Sequence, residues 1–208
     1  MAPMDEAVSE SASGTLRERQ KEAVRRELRV AALSLFKDQG FAATTVDDIA
    51  RRAGVSRSTY FRYFGSKTAV VIDPTEESMR IFKHCLAERP RAEKAMQALE
   101  NALIEMTEAM RTDERRDEML LILELVNTEP DLASAVEART AHNQADVARC
   151  LAAREGRKEP SLEDALASAI LVPITEHIGA SWAADDDADG VAELIRSHFR
   201  TVRRLTTG

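Results

Sequence analysis

The chain has 208 residues, of which 44% are hydrophobic and 31% charged, and its net charge is -7. This length is enough for one good hydrophobic core or two small ones, and the composition is that of a globular protein. No apolar run has the length of a signal peptide or a membrane span, which argues against an exported or membrane-spanning protein and predicts a cytoplasmic one.

The charge is distributed unevenly along the chain. Residues 1–14 carry -3, residues 15–67 carry +6 from twelve basic and six acidic side chains, and residues 68–208 carry -10. Basic side chains neutralise phosphates and release counterions, so the segment 15–67 is the one suited to nucleic acid. The acidic remainder would stay off the duplex.

The N-terminal part is predicted to be a tail followed by a helix. Residues 1–14 are small, polar and acidic, and we expect them to be disordered. From Thr15 a helix is predicted, because Val24, Leu28, Ala31 and Leu35 recur at intervals of four and three, and it ends before Gly40. Its basic residues form either a solvated helical face or contacts to a nucleic-acid backbone.

A short second helix is predicted after Thr45, whose hydroxyl can accept a backbone N–H of the first turn. Gly54 ends this helix with a sharp left-handed turn, and Ser56 caps a third helix. The small Ala50 allows the two helices to cross closely, and Ile49 with Tyr60 would fill the space between them. The pattern predicts a helix-turn-helix, unless this is a surface helix pair of another all-α protein.

The third helix is rich in hydrogen-bond donors. Arginines, hydroxyls and an aromatic ring are the groups that bind phosphates and base edges in a major groove. We therefore predict a DNA-binding face formed by Arg57, Ser58, Thr59, Arg62 and Tyr63, with Lys67 just beyond.

Residues 29–67 have the sequence RVAALSLFKDQGFAATTVDDIARRAGVSRSTYFRYFGSK. Its LF, GF, TT, IA, AGVS and YF elements and its closing SK resemble the N-terminal domain of the TetR family of transcriptional regulators. Carried over one by one, the resemblance implies phosphate contacts by Thr45, Ser56, Tyr63 and Lys67, and groove contacts by Arg57, Ser58, Thr59 and Arg62.

One position departs from the family pattern. The family commonly has tyrosine where this chain has Phe61, so a phenolic phosphate contact would be replaced by apolar contact, for example with a thymine methyl. Tyr60 corresponds to a position that is usually buried, and we expect it in the core.

Downstream of the cap Ser66, a helix is predicted that Pro74 interrupts or restarts, because proline has no N–H for a continuing helix. In proteins similar to the TetR family, the corresponding helix transmits a ligand-driven shift to the DNA-binding domain. The sequence around Asp73 and Pro74 is accordingly either a hinge or an ordinary helix boundary.

The rest of the chain is predicted to be helical throughout, which gives an all-α protein with about nine helices. We predict a tail over residues 1–14, a helix-turn-helix DNA-binding domain over 15–67, and a larger ligand-binding and dimerisation domain over 68–208. The last two long helices, roughly 161–184 and 188–206, have apolar faces wider than one core requires. They predict a homodimer built around a four-helix bundle, which would bind a pseudo-palindromic DNA site, whereas a monomer would pack them internally.

A ligand site in the larger domain is a further hypothesis. Arg139 and Asn143 lie on an apolar helix face beside His142, where they could meet a polar ligand group, or Arg139 could pair internally with Glu124. The segments TYFRYFGSK, VVIDP and PDL resemble a TetR branch associated with acyl-CoA-like ligands. That resemblance implies a cavity for an acyl chain, lined by Met96, Met106, Met119, Leu123 and Val126. The same side chains could equally fill an ordinary helical core.

The sequence therefore predicts a transcriptional repressor released from its operator by a small apolar effector. A ligand-independent activator or architectural regulator is the alternative. An enzyme tethered to DNA is a more remote alternative, because the sequence has no catalytic constellation and no phosphate-cradling loop. The sequence predicts neither a cofactor nor a metal site. The two cysteines, Cys85 and Cys150, have no partner at metal-ligand spacing.

Overall fold

In the computed structural model, the backbone is described for residues 4–110, 113–184 and 188–206, and side chains for 20–110, 117–179 and 190–206. Over these backbone ranges the protein forms ten α-helices and no β-strand, so the predicted all-α class is confirmed. The helices are α1 (Met4–Gln39), α2 (Val46–Arg52), α3 (Arg57–Tyr63), α4 (Lys67–Glu88), α5 (Ala95–Ala109), α6 (Asp113–Thr128), α7 (Pro130–Arg154), α8 (Leu162–Ala169), α9 (Leu171–Ala184) and α10 (Ala188–Thr206).

The chain divides into two compact units, Met1–Val71 and Ile72–Gly208. The division falls inside α4, four residues beyond the boundary predicted at Lys67. The N-terminal unit contains α1 to α3 and the first residues of α4, and the C-terminal unit contains the rest.

The N-terminal unit is organised around one face of α1. Leu28, Ala32 and Phe36 recur every four residues and are buried, and α2 packs against α1 and α3. Burying a side chain of the size of leucine or phenylalanine stabilises a fold by about 1.5 to 3 kcal/mol. The predicted apolar face is confirmed at Leu28 and Ala31, while Val24 and Leu35 are half-buried.

The start of α1 differs from the prediction. The helix begins at Met4 and not at Thr15, so residues 4–14, expected to be a disordered tail, are helical. This segment contains alanines and glutamates and no proline after residue 3. Extending an existing helix requires no new nucleation, so a weak local preference is sufficient.

The C-terminal unit has one core formed by several helices. Phe82 and Leu86 of α4 lie among buried side chains of α5, α7, α9 and α10, including Leu99, Leu103, Val147, Leu151, Ile174, Ile178, Ile195 and Phe199. The core therefore joins helices that are distant in sequence.

Two side chains close the ends of helices in this unit. Arg154, in the last turn of α7, donates to the carbonyls of Leu86 and Arg89 at 2.8 Å and of Pro90 at 2.9 Å. These carbonyls lie at and just beyond the C-terminal end of α4, where helices leave acceptors without partners. Arg157 pairs with buried Asp164, at 2.6 Å from its Nη1 to Oδ2, at the start of α8.

One predicted helix is divided in the structure. The helix expected over 161–184 is divided at Ile170 into α8 and α9, which makes ten helices where about nine were predicted. Pro173 has no N–H to donate to the carbonyl four residues earlier, and it occupies the first turn of α9, where that donor is not needed.

Pro74 does not interrupt its helix, since α4 is continuous from Lys67 to Glu88. The residues before it, Val70, Val71 and Asp73, are buried, and tertiary packing offsets the lost hydrogen bond. The hydroxyl of Ser78 donates to the Pro74 carbonyl at 2.8 Å.

Candidate nucleic-acid interface

The start of α2 is fixed by a capping box. The Thr45 hydroxyl accepts the Asp48 backbone N–H at 3.2 Å, and the Asp48 carboxylate accepts the Thr45 backbone N–H at 3.1 Å. These bonds to Thr45 hold the pKa of Asp48 below its usual value. The predicted N-cap is confirmed, and the reciprocal partner explains why Asp stands three residues later.

The turn between α2 and α3 depends on glycine. Gly54 has φ +68°, in the left-handed region that favours a residue without Cβ, and the next residue, Val55, donates its N–H to the Ala50 carbonyl at 2.9 Å. Ala50 and Ile49 are buried, as predicted. The turn thus sets the crossing of the two helices.

One face of α3 is buried and holds the helix in place. Ser56 caps it by accepting the Thr59 N–H at 3.1 Å. Tyr60 is completely buried, its hydroxyl donates to the Ser66 carbonyl at 2.9 Å, and burial raises the pKa of its phenol. The expectation that Tyr60 belongs to the core is confirmed.

The opposite face of α3 is exposed and carries donors. Arg57, Ser58, Phe61 and Arg62 are all exposed, and Thr59 and Tyr63 are half-buried at its edges. The structure therefore brings the predicted DNA-contacting residues of α3 together on one side of the helix, with Thr45 and Ser56 exposed at the two N-caps. Base or phosphate contact by each of them stays a prediction.

The Arg57 guanidinium has two neighbours in the unit. Its Nη1 donates to Asp47 Oδ2 at 2.7 Å, and its central carbon lies 5.5 Å from the centre of the Phe61 ring. The sequence identified Arg57 and Phe61 as candidate DNA contacts, but it did not indicate that Arg57 pairs with Asp47. The ten-residue spacing across a glycine turn was the available signal.

Lys67 is held by the loop before α2. Its ammonium donates to the carbonyls of Phe41 at 2.5 Å, Thr44 at 2.9 Å and Ala42 at 3.5 Å. An ammonium has three donors, and here all three point toward backbone acceptors. Its predicted phosphate contact stays a prediction, and the sequence missed the positioning role that this geometry gives it.

The predicted ligand residues do not form one group in the structure. Met96 and Met106 are partly buried against the C-terminal core, whereas Met119, Leu123 and Val126 are half-buried on α6, which packs on α7 and α9. Each set is compatible with ordinary core packing.

The polar ligand candidates on α7 have different surroundings. Arg139 forms an ion pair with Glu76 of α4 and not with Glu124, so the proposed internal partner was wrong. Asn143 is buried, whereas His142 is exposed, with its Nε2 3.9 Å from Asp146 Oδ1. The Glu124 side chain is exposed on α6, where it does not form the predicted pair with Arg139.

Within the described ranges, no three His, Cys, Asp or Glu side chains are grouped to hold a metal ion. In the same parts of the chain, no helix has the length and apolar character needed to cross a membrane.

Comparison with family models gives two matches. Residues 28–73 match the model of the TetR family of bacterial regulatory proteins, and residues 93–206, more than half of the chain, match the model of the MftR C-terminal domain. The HTH-type transcriptional regulator TcmR of Streptomyces glaucescens is 29% identical over 198 residues, covering 90% of this chain and 86% of TcmR.

Solved structures have the same fold. NalD, the secondary repressor of the MexAB-OprM multidrug efflux pump in Pseudomonas aeruginosa, superposes with a TM-score of 0.53 at 21% identity, covering 88% of this chain and 96% of NalD. The fatty acid degradation regulator FadR from Bacillus halodurans gives a TM-score of 0.55 at 19% identity, covering 85% of this chain and 93% of FadR.

Proposed function

Because the chain belongs to the TetR family of bacterial regulatory proteins and has a C-terminal domain of the MftR type, we propose that it is an effector-released repressor. It is a DNA-binding transcriptional regulator and not an enzyme. In the proposal, a homodimer binds a pseudo-palindromic operator in the cytoplasm, and a small apolar effector in the C-terminal unit releases it.

The observation that carries the proposal is the two-sided character of α3. Tyr60 and Phe64 anchor one side in the core, while Arg57, Ser58 and Arg62 present donors on the other. A recognition helix needs this arrangement, because its donors must reach base edges while its backbone stays fixed.

Exposed apolar side chains support the homodimer. Leu162 and Leu166 of α8 are 74% and 58% exposed, and Leu205 of α10 is 77% exposed. Leu162 and Leu166 are one helical turn apart on the same face, together with exposed Ala165 and Ala169. Pairing these helices with a second copy would remove this surface from water.

The effector proposal is supported by the surroundings of Arg139. The Arg139–Glu76 pair joins α7 to α4, the helix that also contributes residues to the N-terminal unit. An apolar effector with an acidic head, such as an acyl-CoA-like molecule, could compete with Glu76 for Arg139 while its chain lies against Met119, Leu123 and Val126 of α6, which packs on α7. To release DNA, it must favour one conformation of the protein over the other, with the Asp73–Pro74 region as the candidate hinge.

The first experiment selects fragments bound by the purified protein from genomic DNA, with sizing of the complex at moderate salt. We expect an enriched inverted repeat bound by a dimer. The Arg57→Ala variant should lose about 1 to 3 kcal/mol of binding free energy on the preferred DNA site and should discriminate less between bases at the contacted position. Arg91→Ala removes an exposed arginine outside the N-terminal unit and serves as the control.

Two results would contradict parts of the proposal. Absence of any enriched sequence would exclude operator binding. Enrichment without release by any apolar or acyl-thioester compound, combined with increased transcription from the site, would favour the ligand-independent activator.

A further inference from the structure

We propose that Asp47 is a positioning residue for DNA recognition, because its carboxylate and the Phe61 ring together hold the Arg57 guanidinium in one orientation. Asp47 would then determine base selectivity without touching a base. The inference rests on the proposed role of α3 as the recognition helix, and it assigns α2 a part in reading the sequence.

The geometry confines the guanidinium between two helices. Arg57 begins α3, and its Nη1 lies 2.7 Å from Oδ2 of Asp47 in the first turn of α2. Its central carbon lies 5.5 Å from the Phe61 ring centre, within the range of a cation–π contact. One contact fixes the direction of an N–H bond and the other fixes the position of the planar group.

The Phe61 ring packs against the buried ring of Tyr60. The two rings meet edge-on, with centroids 5.6 Å apart and planes at 86°. Tyr60 is completely buried and tied to the Ser66 carbonyl. Although Phe61 is 43% exposed, it forms a supported platform for Arg57, which gives the departure from the family tyrosine a role beyond thymine contact.

Folding stability does not explain the Asp47–Arg57 pair. The two side chains are 55% and 63% exposed, and ion pairs at such exposure contribute little to stability. A carboxylate beside a DNA-reading arginine also repels phosphates, which reduces affinity for every sequence alike. The Asp47–Arg57 pair is explained if the carboxylate lowers affinity for all DNA but raises the selectivity of Arg57 among bases.

The pair leaves the fork of the guanidinium usable. In the described residues, Asp47 is the hydrogen-bond partner that the structure gives Arg57, and it engages Nη1. Nη2 and Nε can still reach two acceptors, as in the bidentate recognition of guanine O6 and N7. Holding the side chain beforehand reduces the conformational entropy lost on binding, and it restrains Arg57 from turning to a phosphate.

The test compares Asp47→Asn, Arg57→Ala and the double variant on the selected operator, on operators substituted at each base pair, and on random DNA over a range of salt. Asp38→Asn makes the same change of charge in the same unit, on an exposed residue at the end of α1, and is the matched control. Thermal unfolding of each variant verifies that the unit is folded.

We expect Asp47→Asn to lower discrimination at the base pair read by Arg57 by about 1.5- to 5-fold, the effect typical of an exposed charge pair. The released Arg57 can then reach a phosphate, so binding to random DNA should strengthen and its salt slope should steepen by up to about 0.9. The loss of discrimination should vanish in the Arg57→Ala background, whereas the part of the random-DNA effect that comes from phosphate repulsion by Asp47 should remain. Asp47→Glu, which keeps the carboxylate, should recover part of the selectivity. A residue that only supported folding would not change the salt slope.

The inference is overturned if Asp47→Asn discriminates between bases as well as the wild type, if Asp38→Asn lowers discrimination by the same factor, or if Asp47→Asn lowers discrimination equally in the Arg57→Ala background. Failure of the wild type to enrich any sequence overturns the proposed function as well, so the two failures are distinguishable. If Asp47→Asn does not fold, Asp47→Ser, which also removes the carboxylate, replaces it, and discrimination equal to that of the wild type in this variant overturns the inference.

Discussion

The ammonium of Lys67 lies 4.1 Å from the centre of the Phe41 ring and donates to the Phe41 carbonyl at 2.5 Å, which ties the start of α4 to the loop before α2. We expect Lys67→Ala to destabilise the N-terminal unit by about 1 to 3 kcal/mol, because the partly buried carbonyls of Phe41 and Thr44 lose a charged donor. DNA affinity should fall on all sequences.

The salt dependence of DNA binding separates the two roles of Lys67. If positioning dominates, as expected, the salt slope of Lys67→Ala stays close to the wild-type value. A slope shallower by about one would instead show that Lys67 neutralises a phosphate.

The two tyrosines of the chain form a natural comparison. Tyr60→Phe removes the hydroxyl that donates to the Ser66 carbonyl, and it should cost about 1 kcal/mol of unfolding free energy. Tyr63→Phe, at a half-buried position, should change stability by less than about 0.5 kcal/mol and affect mainly DNA binding. Thermal unfolding followed by circular dichroism measures both, and equal losses would contradict the assignment of Tyr60 to the core.

The exposed leucines of α8 give a test of the dimer. A Leu162→Glu, Leu166→Glu double variant places two charges on a face that is proposed to be covered by a second copy, so it should be monomeric and bind the operator weakly. Ala87→Glu, which adds a charge to an exposed position of α4, should leave the mass unchanged. Light scattering gives the mass, and a double variant that stays dimeric places the interface elsewhere.

Acid should weaken the C-terminal unit through Asp164. Its hydrogen bonds with Arg157, followed by those from Ser161, lower its pKa from 3.8 to about 2. The unfolded chain therefore binds a proton first as pH falls, so this contribution is complete above about pH 5 and is mostly lost by pH 2. Linkage gives a loss of about 1 kcal/mol by pH 3 and about 2 kcal/mol near pH 2.

Urea unfolding at pH 5.5 and pH 3 tests the role of Asp164, with the single tryptophan, Trp182, as the probe. Asp164→Asn should be less stable at pH 5.5, since Arg157 loses its buried partner, and should lose about 1 kcal/mol less than the wild type between the two pH values. Equal losses would show that other carboxylates dominate.

The helix-turn-helix was predictable because its determinants are local. Thr45, Gly54 and Ser56 act on backbone groups within a few residues, and the burial of Ile49 and Tyr60 follows from helical spacing. The all-α class followed from the same periodicity, and the start of α10 at residue 188 agrees with the expected value.

Features that depend on distant parts of the chain were not predictable in the same way. Arg139 and Glu76 are 63 residues apart, and many carboxylates in the sequence were equally plausible partners. Lys67 reaches carbonyls 23 to 26 residues earlier, and backbone acceptors have no sequence signature. Pro74 and Pro173 both lie within segments rich in helix-forming residues, yet α4 continues through Pro74 while the helix predicted over 161–184 is divided just before Pro173.

The clamp made by Arg154 has a consequence for the order of folding. The arginine and the Leu86 carbonyl are 68 residues apart, so closing this contact requires a long loop to form first. The end of α4 consequently cannot be completed locally and is finished only when α7 docks. Hydrogen exchange of backbone amides at the C-terminal end of α4 would therefore show when α7 packs against it. A chain truncated before residue 154 would have a frayed C-terminal end of α4.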